Sequence, residues 1–310
     1  MHARTPTSGA TCALYMPGIV PATRFDQVPN LEMRYPPLPH TMVEVSQLLA
    51  ESKENPDTQR LVDAINRDPV VATTVLRRIN SAFYGMRRMV SDLRKAVFLL
   101  GFLEVSNIVM TAALLKLREV LTSAEQVQMF SQIMRMSVTT AYYTQEIARS
   151  TMLPNAGIAF TTGLLHSIGR LVLLYNKPHD YEALWCTSDS GMAPSVEAER
   201  VIFGTDHAHL AALAADRWNL PGDIVTVIGH YLDPSLVQDQ DLRKLTFALA
   251  LSAEAAAYGC AGEELLSAEE PPETLVAFAR TVDMTPAEVA DLLQSIKAGL
   301  PDFLEGILQA

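Results

Sequence analysis

The sequence has few cysteines, and the three that it has are Cys12, Cys186 and Cys260. Their odd number and wide spacing suit neither a disulfide framework nor a zinc motif, so we expect a reducing, cytoplasmic compartment. Low-complexity tracts are also lacking, and 49% of the 310 residues are hydrophobic. That content suits one large or two small globular domains with a substantial core.

Basic residues are in short supply too. The chain has 24 Lys and Arg residues against 35 Asp and Glu residues, which gives a net charge of −11 and argues against general nucleic-acid binding. The charge is uneven along the chain. Six basic residues between Arg77 and Lys95 face only Asp92, whereas the region after Cys260 has ten acidic residues and two basic ones.

Apolar runs long enough to cross a membrane are a further feature that we expect to be missing. Arg170 interrupts the most apolar stretch, residues 159–174. An apolar patch in the N-terminal twenty residues is broken by Pro17 and Pro21, which favours a disordered leader over a signal peptide. The sequence therefore predicts no membrane partner.

Helical periodicity dominates what is present. Apolar residues recur three and four positions apart, and no segment shows sustained two-residue alternation, so the sequence predicts an all-α fold. Residues 1–35 lack periodicity and predict a flexible N-terminal arm. The predicted helix signals are a stop at Gly101 and N-caps at Asp57, Asp68, Ser91, Ser195, Asp206 and Thr285.

The most informative stretch is residues 159–174, which predicts the central helix of a helical lobe. It contains Leu164-Leu165-His166-Ser167-Ile168-Gly169, which resembles the "LLHDIGKL" signature of HD-superfamily metal phosphohydrolases. In that superfamily the His-Asp dyad binds a divalent metal. Ser167 stands at the Asp position here, and a neutral hydroxyl is a weak ligand where a carboxylate supplies a charged oxygen.

Further motifs precede and follow this run. In chain order they include Ile65-Asn66-Arg67-Asp68-Pro69, Ile79-Asn80-Ser81-Ala82-Phe83-Tyr84-Gly85, Leu99-Leu100-Gly101, Gly204-Thr205-Asp206-His207, Trp218-Asn219-Leu220-Pro221 and Ile228-Gly229-His230-Tyr231. Over about residues 34–240 this series resembles the HDOD family, an HD-related output domain of bacterial signalling proteins. The resemblance implies a two-lobed helical domain with a regulatory role, often near cyclic-dinucleotide or chemotaxis-like pathways, and generally without catalysis.

We therefore predict three parts in the chain. Residues 1–35 form the flexible arm, residues 36–260 an HDOD domain, and residues 261–310 a small acidic C-terminal helical appendage. Within the HDOD domain, we assign residues 36–122 to the N-terminal helical bundle and residues 123–260 to the HD-like lobe.

The resemblance also implies where metal ligands would lie. HD enzymes add an early His, expected here among residues 134–137, where we assign the position to Met136. They also add a late Asp, expected among residues 249–253, where no carboxylate occurs. Only His166 remains of four ligands, so we predict no bound metal and no cofactor. We expect His166 to be a buried residue that bonds to the backbone.

A relocated metal site is the alternative. His166, His207 and His230 could bind zinc if they converge, as three His residues do in catalytic sites. The chain would then be a divergent HD-type phosphohydrolase acting on a nucleotide or cyclic dinucleotide. The simpler interpretation of His207 and His230 is that they make surface or interlobe polar contacts.

One basic segment is a candidate binding site. Asn80, Tyr84, Arg87 and Arg88 combine fork-shaped donors with an aromatic face, which suits phosphate or carboxylate recognition. The alternative is a solvated basic loop. Taken with the resemblance, the sequence favours a non-catalytic output or adaptor domain that binds a protein partner in a bacterial signalling pathway, with small-ligand sensing as a rival.

Overall fold

The computed structural model describes residues 33–51, 57–80, 89–188, 193–261 and 271–308, and these residues form helices and connecting turns without a strand. The prediction of an all-α fold is confirmed. The helices are α1 (His40–Glu51), α2 (Thr58–Asn66), α3 (Pro69–Ile79), α4 (Leu93–Leu100), α5 (Phe102–Leu115), α6 (Ala124–Ser150), α7 (Ala156–Leu165), α8 (Ile168–Asn176), α9 (Pro178–Cys186), α10 (Val196–Phe203), α11 (His207–Arg217), α12 (Gly222–His230), α13 (Gln240–Ala261), α14 (Glu273–Thr281) and α15 (Pro286–Leu308).

Capping side chains start five of these helices where the sequence predicts. The side chains of Asp57, Asp68, Ser195 and Asp206 each accept a hydrogen bond from a backbone N–H in the first turn that follows. Thr285 forms a reciprocal capping box with the residue three positions later, Glu288. Each of these contacts satisfies a backbone donor that the helix itself leaves without an acceptor.

The prediction of a cap at Ser91 is wrong by one residue. Asp92 is the N-cap of α4, and its carboxylate accepts from the backbone N–H of Arg94. Both residue types cap well, so composition does not choose between neighbours. Gly101 ends α4 as predicted, with a φ of 88° that favours glycine, and α4 is bent by 117° from the helical segment that follows.

The helices pack as two lobes with a C-terminal addition. In the first lobe α1 packs on α2 and α5, and α3 packs on α4 and α5. In the second lobe α6 packs on α7 and α13, and α11 packs on α8 and α12. Contacts of α7 with α1 and α5 join the lobes, while α14 and α15 lie against α13 and α6.

Part of the predicted flexible arm is fixed in place. The side chain of Asn176 accepts a hydrogen bond from the backbone N–H of Arg34 and donates one to its carbonyl oxygen. The guanidinium of Arg217 lies 4.4 Å from the centre of the Tyr35 ring. Arg34 and Tyr35 of the predicted arm are therefore held against α8 and α11.

The predicted central helix is two helices. It breaks at His166 and Ser167, which lie between α7 and α8. The segment Ala156–Asn176 is long and apolar enough to cross a membrane, which the sequence prediction excludes. The segment made of α4 and Phe102–Val120 also passes this test if the bend between its two helices is ignored. The segment Ala156–Asn176 is 94% buried inside the fold, so it is the core of the second lobe. A buried ion pair, described below, lets this core tolerate Arg170.

Candidate functional site

Two glycines bring neighbouring helices against the His166–Ser167 break. A Cβ built on Gly163 would overlap the backbone of Ala141 in α6, and one built on Gly169 would overlap the backbone of His207 in α11. Only glycine permits both approaches without a backbone shift. The break is therefore held between α6 and the start of α11.

His166 is enclosed in the fold and bonds to its own helix. Its Nδ1 lies 2.6 Å from the carbonyl oxygen of Gly163, which assigns the proton to that nitrogen. Burial lowers the pKa of His166 from 6.5 to about 3, and this effect outweighs the hydrogen bond, which acts in the other direction. His166 is therefore neutral at physiological pH and has the geometry of a structural histidine.

Ser167 meets a second serine where the resemblance places metal ligands. The hydroxyl oxygens of Ser137 and Ser167 are 2.6 Å apart, and both residues are buried. Ser137, on α6, rather than the predicted Met136, is therefore the residue that faces the dyad position. Two hydroxyls can satisfy each other, but they supply no charged oxygen to a divalent ion.

A buried polar network lies beside this break. Glu199 of α10 accepts from Arg170 at 2.8 Å through one carboxylate oxygen, and from the backbone N–H and Nδ1–H of His207 through the other. Arg170 also donates to the carbonyl oxygen of Pro194 at 2.9 Å and to the Tyr181 hydroxyl at 3.4 Å. The network ties α8, α10 and α11 together without a water-exposed charge.

Burial and pairing set the ionisation of this network. Burial alone would raise the pKa of Glu199, but the neighbouring His207 and Arg170 together lower it below its usual value. The pKa of Arg170 rises despite burial because Glu199 stabilises its charge. Burial raises the pKa of Tyr181 and Tyr231. The network therefore holds an ionised Arg–Glu pair at neutral pH.

Both ring nitrogens of His207 are occupied by neighbours. Nδ1–H donates to Glu199, and Nε2 accepts from the Tyr231 hydroxyl in a short contact. The Tyr231 ring also lies edge-on to His166, with the ring centres 5.4 Å apart. His230 bonds through Nδ1 to the carbonyl oxygen of Thr226 at 2.9 Å.

The three histidines of the alternative metal site are thus placed as follows. His166 and His207 flank one tyrosine, and His230 bonds to its own helix. Within the described parts of the chain, no group of three or more His, Cys, Asp or Glu residues is arranged to hold a metal ion. The residues present do not fit the metal centre that the HD signature implies.

Asn80 is the described member of the basic segment that the sequence predicts to be a binding site. Its side-chain nitrogen donates to the carbonyl oxygens of Leu76 and Val90, and its side-chain oxygen accepts from the backbone N–H of Val90, each at 2.7 Å. Three hydrogen bonds thus hold the amide between α3 and the start of the α4 cap. Tyr84, Arg87 and Arg88 lie outside the described residues, and the binding site proposed for these four residues stays a prediction.

Glu199 and Tyr231 are the site residues that sequence reasoning missed. Glu199 lies among exposed polar residues of α10, and nothing local marks it as buried. Tyr231 belongs to a motif that carries the family resemblance, yet its pairing with His207 depends on how α11 and α12 pack. The pairing is visible only in three dimensions.

Comparison with known proteins places this arrangement in a family. The HDOD domain model matches residues 35–234. An uncharacterized protein of Treponema pallidum (strain Nichols) is 28% identical over 211 residues, which are 67% of this chain and 38% of that protein. The chain thus spans about two fifths of the length of that relative.

Solved structures share the fold. An HDOD domain protein of unknown function from Geobacter sulfurreducens aligns with a TM-score of 0.69 at 17% identity, over 88% of this chain and 92% of that one. A candidate phosphohydrolase from Shewanella amazonensis SB2B aligns with a TM-score of 0.60 at 21% identity, over 88% and 94%. A candidate signal transduction protein from Marinobacter aquaeolei VT8 aligns with a TM-score of 0.61 at 20% identity, over 89% and 60%. At these identities the likeness concerns the fold. The family model spans well over half of the residues of this chain, and the chain therefore belongs to the HDOD domain family.

Proposed function

We propose that the chain is a regulatory domain of bacterial signal transduction that acts in the cytoplasm by binding a protein partner and hydrolyses no substrate itself. The observation that carries the proposal is the hydrogen bond between Ser137 and Ser167 at 2.6 Å. It joins two hydroxyls at the place where an HD phosphohydrolase would direct ligands at a metal ion. The pair leaves His166 without the carboxylate that would share a divalent cation.

The histidines are not free to form a metal site in place of the missing HD ligands. For His207 to ligate a metal, its ring would have to give up Glu199 or Tyr231. Releasing Glu199 would also take one donor from a buried carboxylate oxygen, which would then keep only the backbone N–H of His207. A phosphohydrolase acting on a nucleotide or cyclic dinucleotide through His166, His207 and His230 is therefore the weaker candidate.

Metal content and hydrolysis, measured together, test the proposal. The protein is purified without chelators from medium supplemented with iron, manganese and zinc, and its metal content is measured by elemental analysis. The same sample is assayed with bis(p-nitrophenyl) phosphate and with cyclic dinucleotides in added Mn²⁺. We expect far less than one equivalent of metal per chain and no hydrolysis above the buffer rate.

A pair of substitutions shows whether any bound metal or hydrolysis depends on His166. His166→Asn alters the candidate ligand, and His179→Asn makes the same change at an exposed residue of α9. About one equivalent of metal, with hydrolysis that His166→Asn abolishes and His179→Asn leaves intact, would contradict the proposal. Hydrolysis that both variants retain would be independent of His166.

A further inference from the structure

A cleft of about 750 Å³ lies between the two lobes. Its lining includes the sharp turn from α4 into α5, residues 99–104, the C-terminal part of α6 and the start of α7. Phe303 of α15 also lines the cleft and stacks on Tyr142 with the ring centres 4.5 Å apart. Clefts of this size at lobe boundaries are common places for ligands and peptide anchors.

The edge of the cleft carries exposed apolar side chains on either side of Gly101. Leu99 and Leu103 line the cleft and are 42% and 40% exposed. Phe98, the neighbour of Leu99 on α4, is 86% exposed. Single exposed apolar residues are ordinary on a protein surface, but the two leucines share one concave site, where a partner can cover both.

Acidic residues outnumber basic ones among the described residues of the lining. Glu104, Glu146 and Asp223 line the cleft together with Arg149, which pairs with Glu146 at 3.0 Å. Asp223 lies in the first turn of α12, whose positive end is equivalent to about half a unit charge. Half a charge does not cancel a whole carboxylate, so Asp223 attracts a cation to the cleft.

Gln145 presents a buried hydrogen-bond donor to the cleft. It lines the cleft although it is only 7% exposed, and its side-chain oxygen accepts from Asn107 at 3.1 Å. That contact fixes the amide and directs its oxygen away from a ligand. The side-chain nitrogen makes no hydrogen bond within the described residues, and it therefore suits the carbonyl oxygen of an incoming peptide.

We propose that this cleft binds a segment of a protein partner that combines an apolar anchor with Lys or Arg. The anchor lies against Leu99 and Leu103, a basic side chain faces Asp223, and the Gln145 amide donates to the backbone of the segment. Phe98 extends the contact beyond the cleft, which favours a peptide over a small molecule. The inference rests on the proposed role in partner binding and assigns that role to a surface.

Two substitutions with matched controls test the surface. Asp223→Lys reverses a charge in the cleft, and Asp180→Lys makes the same change in the first turn of α9, a helix of the same length outside the cleft lining. Phe98→Ser removes the apolar edge, and Val201→Ser removes a similarly exposed apolar residue, at 82%, from α10. All four positions are exposed, so each variant is expected to melt close to the parent.

The probe is a displayed library of random twelve-residue peptides, selected on the parent protein. Enriched peptides are then synthesised, labelled and titrated by fluorescence anisotropy. We expect them to pair Leu, Ile or Phe with Lys or Arg, and to lose at least about tenfold in affinity in Asp223→Lys and Phe98→Ser but not in the controls. We also expect binding to weaken with added salt.

Three results would overturn the assignment. They are a selection without enriched peptides, enriched acidic peptides, and peptides that bind the two cleft variants as tightly as the parent. The last result would leave the adaptor role standing and move it to another surface. Metal-dependent hydrolysis lost in His166→Asn would instead refute the proposed function while leaving the peptide measurements valid.

Discussion

Gly169 of α8 lies so close to His207 of α11 that a Cβ on the glycine would overlap the histidine's backbone carbonyl. The obstacle is backbone rather than a flexible side chain, so the helices must move apart to accept any other residue. We predict that Gly169→Ala costs about 3 kcal/mol of unfolding free energy, measured by urea denaturation.

Gly222 is the matched control for this substitution. A Cβ built there meets nothing within 4 Å, and its φ lies outside the left-handed range. Gly222→Ala should therefore change the unfolding free energy by no more than about 1 kcal/mol, in the stabilising direction. Equal stability of the two variants would show that α8 and α11 are not in close contact.

Glu199→Gln should be among the most destabilising single substitutions in the second lobe. The amide keeps the shape of the side chain but removes the charge that faces Arg170 at 2.8 Å. An uncompensated guanidinium then remains buried, at a cost of about 3–5 kcal/mol in urea denaturation. Glu51→Gln, which weakens an exposed pair with Arg60, should have little effect on the unfolding free energy. Similar costs for the two changes would mean that the Glu199 pair is hydrated.

His166 should make the fold less stable in mild acid. Its pKa falls from 6.5 to about 3 on burial, so between these values the unfolded chain takes up a proton that the folded chain does not. This destabilising contribution to the unfolding free energy is absent above about pH 6.5. It grows as the pH falls, by up to about 1.4 kcal/mol per pH unit. At pH 5 the loss is about 2 kcal/mol.

Comparison with His166→Asn isolates this contribution, since both proteins share every other titrating group. The difference in unfolding free energy between parent and variant should shrink by about 2 kcal/mol from pH 7 to pH 5, in urea denaturation at both values. A difference that stays constant with pH would show that His166 titrates alike in the folded and unfolded chains.

Asn80→Asp tests the closure between α3 and α4. The substitution keeps the oxygen that accepts from Val90 but removes the donor to the carbonyl oxygens of Leu76 and Val90. It should cost about 1–3 kcal/mol of unfolding free energy. Asn155→Asp is the control, because the side chain of Asn155 makes no capping hydrogen bond with α7. If both changes were neutral, the Asn80 contacts would be dispensable.

Much of the helical order follows from local sequence. Asp68 followed by Pro69, and Thr285 followed three residues later by Glu288, mark helix starts because a cap needs only its own first turn. Gly101 marks an end because few other residues tolerate its positive φ. The slip from Ser91 to Asp92 shows the limit, since two good caps in succession leave the choice to the packing of α4.

The site was less predictable because its contacts join distant parts of the chain. An apolar run gave no sign of the break at His166, which depends on close packing around Gly163 and Gly169. Arg170 resembles a charge that interrupts a core until Glu199 is placed beside it. The Ser137–Ser167 bond likewise needs the register of α6 against α7, which sequence periodicity specifies only to within a residue.

The ring stack of Tyr142 and Phe303 has a thermodynamic consequence for any molecule in the cleft. Such a molecule touches both lobes and α15 at once. The free energy of its binding is therefore coupled to the free energy with which α15 packs against the domain, and each affects the other equally. Phe303 lies beyond the residues that the family model matches. A change confined to α15 can therefore tune affinity at the cleft while every residue of the HDOD domain stays the same.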